Sequence, residues 1–257
     1  MSTNSLHSPK KLWRSISKTI SVVGILGVGL FVSALVLFVS KTGSNQWIQR
    51  MFATDSIQLW WYVTRASGLL AYFLLWLSTA WGLAVSSKIF DPFLERMFTY
   101  DFHEHLSLLG LGFALVHVVV LLFDRFLPFS IWQVLIPFIA PYRNFWVGIG
   151  IIAFYMSALV TITFYMRSRI GMSAFRKIHY LSLLAYVGVT FHGMFAGTDY
   201  ALPLTQILYK GTMLVTLFLT TYWLVLLWIR RVEERRQKRL EARRRHGQKR
   251  SQWGRGY

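Results

Sequence analysis

Long apolar runs alternate with short polar segments along most of this chain. About 20 consecutive apolar residues in a helix cross the hydrocarbon core of a bilayer, so runs of this length predict membrane-spanning helices. The pattern predicts six spans, at residues 20–40, 59–85, 103–123, 145–166, 178–196 and 205–229. We therefore expect an all-α polytopic membrane protein in which residues 20–229 form one six-helix bundle.

The first apolar run, residues 20–40, follows a polar and basic segment at residues 1–19. A cleaved signal peptide has the same order of basic and apolar regions. Here the run is long enough to span a membrane and no cleavage site of small residues stands out. The sequence therefore predicts a helix that is retained.

The polar segments predict the connections between spans. We expect loops at residues 41–57, 86–101, 167–177 and 197–203. Residues 124–143 contain three prolines and are too short and broken to span, so we expect them along the membrane surface. The tail, residues 230–257, is expected to begin as a helix and to end disordered.

Composition supports a membrane protein and limits its chemistry. The chain is 54% hydrophobic and only 15% charged, which is less charge than a soluble protein of this size carries. It has no cysteine. This excludes disulfides, cysteine-ligated iron–sulfur clusters and haem held by thiolate or covalent attachment. Any haem would need another ligand, and histidine is available.

Positive charge is abundant and unevenly placed. The formal net charge is +18, and twelve of the 28 Lys and Arg residues lie in the tail. The basic tail follows a membrane helix directly, so binding to an anionic membrane surface explains its charge. Docking of an acidic flavoprotein is the alternative, and a nucleic-acid partner is disfavoured. With six spans, both termini and the segment 167–177 share one side, which the positive-inside rule makes cytoplasmic. We expect a multi-pass protein of the plasma or inner membrane.

Two of the predicted spans carry two histidines each. His103 and His117 are fourteen residues apart, and His179 and His192 are thirteen apart. Fourteen residues of helix rise about 21 Å, so each helix holds one imidazole near each membrane face. His103 would pair with His179 near the cytoplasmic face, and His117 with His192 near the outer face. Two stacked, six-coordinate b-type haems require this arrangement.

Histidine in a membrane span is costly, which favours a functional role. There are two alternatives. The histidines could make hydrogen bonds between helices, or they could form a site for zinc or another divalent metal, whose ligands must converge on one point. One feature does not fit a straight helix, because thirteen residues place His179 and His192 about 140° apart around the axis. A bend, a π-bulge or haems on different sides of the helix would each resolve this.

Further groups lie near the predicted pairs. Arg65 is level with the outer pair, and a cation in a span needs a partner; a haem propionate would serve, or the side chain would snorkel to the interface. His105 lies about 120° off the face of His117, so His103 is the better candidate ligand. Small residues beside the histidines would admit a flat macrocycle or allow close helix contacts. They are Gly110, Gly112, Gly188 and Gly193.

These segments resemble the ferric-reductase-like transmembrane domain, the haem-binding membrane part of ferric reductases and NADPH oxidases. The chain is also similar to the haem subunit of the bacterial methionine sulfoxide reductase system. The resemblance covers about residues 57–229. It is carried by WYVTRASGLLAY at 61–72, FHEHLSLLGLGFALVH at 102–117 and FRKIHYLSLLAYVGVTFHG at 175–193.

The resemblance implies two b-type haems and electron transfer from the cytoplasmic to the outer side. His103 and His179 would ligate the inner haem, His117 and His192 the outer haem, and Arg65 would lie beside the outer haem. Unlike the oxidases, the sequence shows no GxGxxG-type cofactor fold after the last span, so we expect an external flavoprotein or quinol donor and an outer-face acceptor. The chain would be the electron-transfer component of an oxidoreductase, or the haem subunit of a specific extracytoplasmic reductase. An alternative from a different class of function is a structural or transport protein without haem.

Overall fold

The computed structural model describes residues 56–124 and 127–253. The predicted N-terminal segment and the predicted span at 20–40 lie outside these residues. Regular structure within the described part of the chain is helical and contains no strand. The all-α prediction is confirmed for these residues.

The apolar runs form the helices that the hydropathy pattern predicts. Helix α1 spans Ser56–Ser86, α2 Arg96–Leu121, α3 Ile131–Leu135, α4 Asn144–Tyr165, α5 Arg167–Ile170, α6 Met172–His179, α7 Leu181–Ala196 and α8 Pro203–Trp253, with a 3₁₀ helix at Thr198–Ala201. Within the described residues, five segments are long and apolar enough to cross a membrane. They are α1 from Trp60, α2, α4, α6 together with α7, and α8 as far as Arg239. The protein is therefore a helical integral membrane protein.

Two polar segments that the sequence assigned to loops are partly helical, and the tail, which was expected to begin as a helix, stays helical as far as the described residues reach. Residues 96–101 form the first turns of α2, residues 167–177 lie largely in α5 and α6, and the tail continues α8 to Trp253. The loop predictions were wrong because polarity marks where a chain leaves lipid, not where its backbone hydrogen bonds stop. Arg, Lys and Glu are good helix formers, so charge alone does not end a helix.

Helix α1 is the element around which the others pack. It lies along α2 and also contacts α7 and α8, while α4 packs along α7. Inward-facing side chains of α1, such as Trp60 and Tyr72, are buried, whereas Leu204, Leu214 and Phe218 of α8 are mostly exposed. Exposed apolar side chains on spanning helices fit contact with lipid tails.

An ion pair ties the 3₁₀ helix to α1. Arg65 makes two contacts with the carboxylate of Asp199, one from Nε and one from Nη2. The guanidinium carbon also lies 3.7 Å from the ring centre of Trp61. Only about a fifth of each charged side chain is exposed, 19% for Arg65 and 22% for Asp199. A bidentate and shielded pair of this kind fixes the connection between α7 and α8 against α1.

We expect Asp199→Ala to destabilise the bundle, because it leaves the shielded Arg65 without its carboxylate. The loss should be roughly 1–3 kcal/mol, between the value for exposed pairs and that for fully buried ones. The matched control is Asp91→Ala, which removes the partner of Arg96 from a pair whose arginine is 67% exposed. Thermal unfolding in detergent, followed by circular dichroism, measures both variants. Equal losses would contradict the structural role of the Arg65 pair.

Candidate functional site

The four histidines of the spans meet as two pairs at two levels of the bundle. The ring centres of His103 and His179 are 6.1 Å apart, and those of His117 and His192 are 6.4 Å apart. The planes within each pair are nearly perpendicular, at 79° and 77°. We call His103 and His179 the inner pair, and His117 and His192 the outer pair, after the sides that the charge pattern predicts. The structure thus brings together the residues that spacing alone paired.

A break in the helix explains how His179 and His192 both face the bundle. Helix α6 ends at His179, and α7 begins at Leu181. Tyr180 lies between them and its N–H bonds to the carbonyl of Ile178, so the regular pattern of hydrogen bonds stops there. Because the interruption lies between the two histidines, the angle of about 140° expected for an ideal straight helix does not apply to them.

Main-chain carbonyls hold both imidazoles of the outer pair. Nδ1 of His117 lies 2.8 Å from the carbonyl oxygen of Thr64, and Nδ1 of His192 lies 2.9 Å from that of Trp146. A carbonyl only accepts hydrogen bonds, so Nδ1 must carry the proton in both rings. The other nitrogen, Nε2, then keeps its lone pair and can bind a metal.

The inner pair is held differently. Nδ1 of His103 contacts the hydroxyl of Ser78 at 3.3 Å, whereas the buried Nδ1 of His179 has no hydrogen-bond partner within the described ranges. His105 does not join the pair; its Nδ1 lies 2.6 Å from the carbonyl oxygen of Asp101 on its own helix. The structure therefore places His103, and not His105, opposite His179.

Glycines on the facing helices make room for the imidazoles. A Cβ at Gly68 would lie 2.9 Å from Nδ1 of His117, and a Cβ at Gly82 would lie 3.0 Å from Cε1 of His103. The two glycines are fourteen positions apart in the sequence, and so are the two histidines that they face. This match follows from the antiparallel packing of α1 against α2.

Each of these glycines lies four residues after the group that holds the imidazole. Gly68 follows Thr64, and Gly82 follows Ser78, at that spacing. Residues i and i+4 lie on the same face of a helix, one turn apart. One turn therefore supplies both the hydrogen-bond acceptor and the space for the ring. Trp146 and Gly150 on α4 repeat this arrangement around His192.

Sequence reasoning missed these glycines and singled out others. Gly110 packs against Leu75, and Gly188 against Ala153, so both serve helix contacts. The available signal was the equal spacing of the two glycines on α1 and the two histidines on α2. The equal spacing could not be interpreted from the sequence, because a sequence does not show which helices face each other.

Each histidine pair borders a cavity. The inner cavity, about 120 Å³, is lined by both inner histidines, and the outer cavity, about 250 Å³, by both outer histidines. Leu75, Ser157 and Val189 line both cavities, so a single layer of side chains separates them. Arg65 borders the outer cavity, and its ion-pair partner is the carboxylate of Asp199.

The histidine geometry fits one metal ion between each pair of rings. A metal lies about 2 Å from a ligating imidazole nitrogen and about 1 Å further from the ring centre, so two opposed rings would have centres about 6 Å apart. No group of three or more His, Cys, Asp or Glu side chains that could hold a metal exists within the described residues. Two imidazoles per site suit a metal whose remaining ligands come from a macrocycle. They do not suit zinc, which takes three or four protein ligands.

The glycine beside His192 gives a direct test of this packing. A Cβ on Gly150 would lie 2.5 Å from Nδ1 of His192, so Gly150→Ala should displace the ring and break its hydrogen bond to Trp146, lowering the unfolding temperature. Gly211→Ala is the matched control, since nothing lies within 4 Å of its added methyl group. Alanine is the better helix former by about 1 kcal/mol, so the control should be neutral or stabilised. A Gly150→Ala protein as stable as the control would show that the ring is not confined.

Comparison with known proteins adds no assignment. No protein-family model, curated protein or solved structure matches the chain. The features that bear on function are therefore the geometry of the histidine pairs and the residues that carry the resemblance.

Proposed function

We propose that this protein is a membrane cytochrome of the b type that relays electrons across the bilayer through two haems. The observation that carries the proposal is the pair of opposed imidazoles at each of two levels, with ring centres 6.1 and 6.4 Å apart. A single pair is compatible with a simple contact between helices, but here the second pair repeats the distance and the angle of the first. The resemblance to the ferric-reductase-like transmembrane domain supports the same function.

The chain's own residues would set the ligands, the depth and the surroundings of each site. His103 and His179 would hold the inner haem, and His117 and His192 the outer haem. Bound haem supplies a one-electron carrier whose potential depends on its ligands and its surroundings. A haem held by two histidines of the chain would carry electrons rather than bind a substrate at its metal. Arg65 borders the outer cavity and would lie beside the outer haem.

The protein must also keep the two sites close. The layer shared by the two cavities contains Leu75 and Val189, and the buried Tyr72 and Tyr186 lie beside it with hydroxyl oxygens 3.5 Å apart. Such packed side chains exclude water from the path between the sites. This arrangement supports transfer within one chain, from the inner to the outer level.

Ligand identity can be tested by mutation. His103→Ala should reduce the haem content from two per chain to one, because it removes a ligand of the inner site. His105→Ala is the control, and it should retain both haems because that ring bonds to the carbonyl of Asp101. The pyridine haemochrome assay on purified protein gives the stoichiometry. Loss of haem in the His105 variant alone would assign the ligand to His105 in place of His103. Wild-type protein without haem absorbance would refute the proposed function.

The basic tail offers a place for the cytoplasmic electron donor. Tyr180, next to His179, contacts Trp223 of α8 with ring centres 5.8 Å apart, so α8 leaves the bundle at the level of the inner pair. The helix continues without a break beyond Arg239, and residues 230–239 are exposed. A helix that continues into water presents its charge to a soluble partner as well as to the membrane surface. We propose that this part of α8 attracts an acidic flavoprotein that reduces the inner haem.

Charge variants of the tail test the docking proposal. Replacing Arg235, Arg236, Lys238 and Arg239 together by Gln should slow reduction by an acidic flavoprotein with NADPH about tenfold or more at low salt, because electrostatic steering raises association rates. Glu233→Gln with Glu234→Gln makes the tail more positive, and it should speed the same reaction. Reduction by dithionite, which needs no docking, should stay unchanged in both. Stopped-flow absorbance measures the rates, and equal rates for all three proteins at low salt would leave the tail as a membrane-facing segment only.

A further inference from the structure

The two histidine pairs differ in the kind of group that holds Nδ1. In the outer pair both acceptors are main-chain carbonyls, of Thr64 and Trp146, which no substitution removes. In the inner pair the contact of His103 is a side chain, the hydroxyl of Ser78. A hydroxyl can donate or accept, so its own partners decide which it does.

Those partners fix the direction of every proton in the group. Ser107 Oγ lies 2.8 Å from the carbonyl oxygen of His103, which only accepts, so the single proton of Ser107 is donated there. Ser78 Oγ lies 2.7 Å from Ser107 Oγ, and this contact is a hydrogen bond only if Ser78 donates. The proton of Ser78 is then used, so His103 must donate from Nδ1 to Ser78 Oγ.

This chain of three hydrogen bonds lies in a protected place. Ser78 is buried, with 6% of its surface exposed, and it borders the inner cavity together with Ser107. Gly82, one turn further along α1, leaves space for the ring of His103. Water therefore has little access to replace the serine hydroxyls.

We propose that Ser78 is a positioning residue which, with Ser107, holds His103 as the Nδ1–H tautomer with Nε2 directed towards the metal site. This inference rests on the proposed function for its redox consequence, but the tautomer itself is a property of the protein alone. A histidine that donates from its second nitrogen is a more basic ligand. A more basic ligand stabilises the oxidised metal, so Ser78 lowers the potential of the inner haem.

Ser78→Ala removes the acceptor and provides the main test. We expect the midpoint potential of the inner haem to shift upward while that of the outer haem stays unchanged. Haem retention at the inner site should weaken roughly tenfold or more, the usual effect of losing such a supporting hydrogen bond. Ser78→Thr retains a hydroxyl and should restore the wild-type potential. Potentiometric titration followed by absorbance measures these values.

Two further variants separate positioning from a general disturbance of the bundle. Ser67 is another buried serine of α1, which donates to the carbonyl of Val63 and is not among the residues that line the two cavities, so Ser67→Ala should leave both potentials unchanged. Ser107→Ala keeps the hydroxyl of Ser78 but removes its acceptor, so a smaller upward shift is expected. This variant also serves if Ser78→Ala fails to fold.

The tautomer is read independently by ¹⁵N NMR of histidine-labelled protein, in the diamagnetic state reduced with dithionite. Wild-type His103 should show a protonated Nδ1 with the chemical shift of a hydrogen-bonded N–H, assigned by comparison with His103→Ala. In haem-loaded Ser78→Ala the proton should stay on Nδ1, because Nε2 would be bound to the metal, but its chemical shift should move to that of an N–H without this acceptor. An unchanged Nδ1 chemical shift and an unchanged inner potential in Ser78→Ala would overturn the inference, as would an equal shift of the potential in Ser67→Ala. If the purified protein contains no haem, the proposed function fails, and the NMR comparison still decides the role of Ser78.

Discussion

Each imidazole that lies inside a helical bundle needs a defined acceptor for one ring nitrogen, and this need organises the packing here. A buried polar group without a partner is expensive in a medium that cannot hydrogen-bond. At His117, His192 and His103 one helical turn meets the need, with an acceptor at one position and a glycine four residues later. The close contacts of α1 with α2 and of α4 with α7 follow from this arrangement.

The same arrangement also prepares the chemistry. A ring that donates from Nδ1 presents the lone pair of Nε2, and it is held in one orientation before any ligand binds. Rigid side chains reduce the reorganisation that a metal centre needs when it gains or loses an electron. His179 is the exception, since its Nδ1 has no partner among the described residues and its ring packs against Phe175 instead. The inner site is therefore the less constrained of the two.

Charge is confined to the ends of the bundle. Arg65 is joined to Asp199 at the edge of the outer cavity, and the exposed Lys and Arg side chains of α8 lie beyond the opposite, inner level. Between them the side chains that separate the two cavities are apolar or hydroxyl-bearing. The proposed relay of electrons would need this separation, because a fixed charge between the sites would favour the electron at one of them.

The sequence by itself determined the spanning helices, since about 20 apolar residues are sufficient evidence of a span whatever surrounds them. It also determined which histidines share a level, because helical rise converts spacing into depth. It could not determine where helices end in water. Residues 96–101, most of residues 167–177 and the tail as far as Trp253 are helical although polar, since backbone hydrogen bonds form in either solvent. Only the tertiary structure decided that Asp199 meets Arg65, that Gly68 and Gly82 admit the rings, and that Ser78 contacts His103. These are contacts between residues far apart in the chain, and they depend on the rotation of each helix about its axis, which a hydropathy pattern leaves open within a wide apolar face.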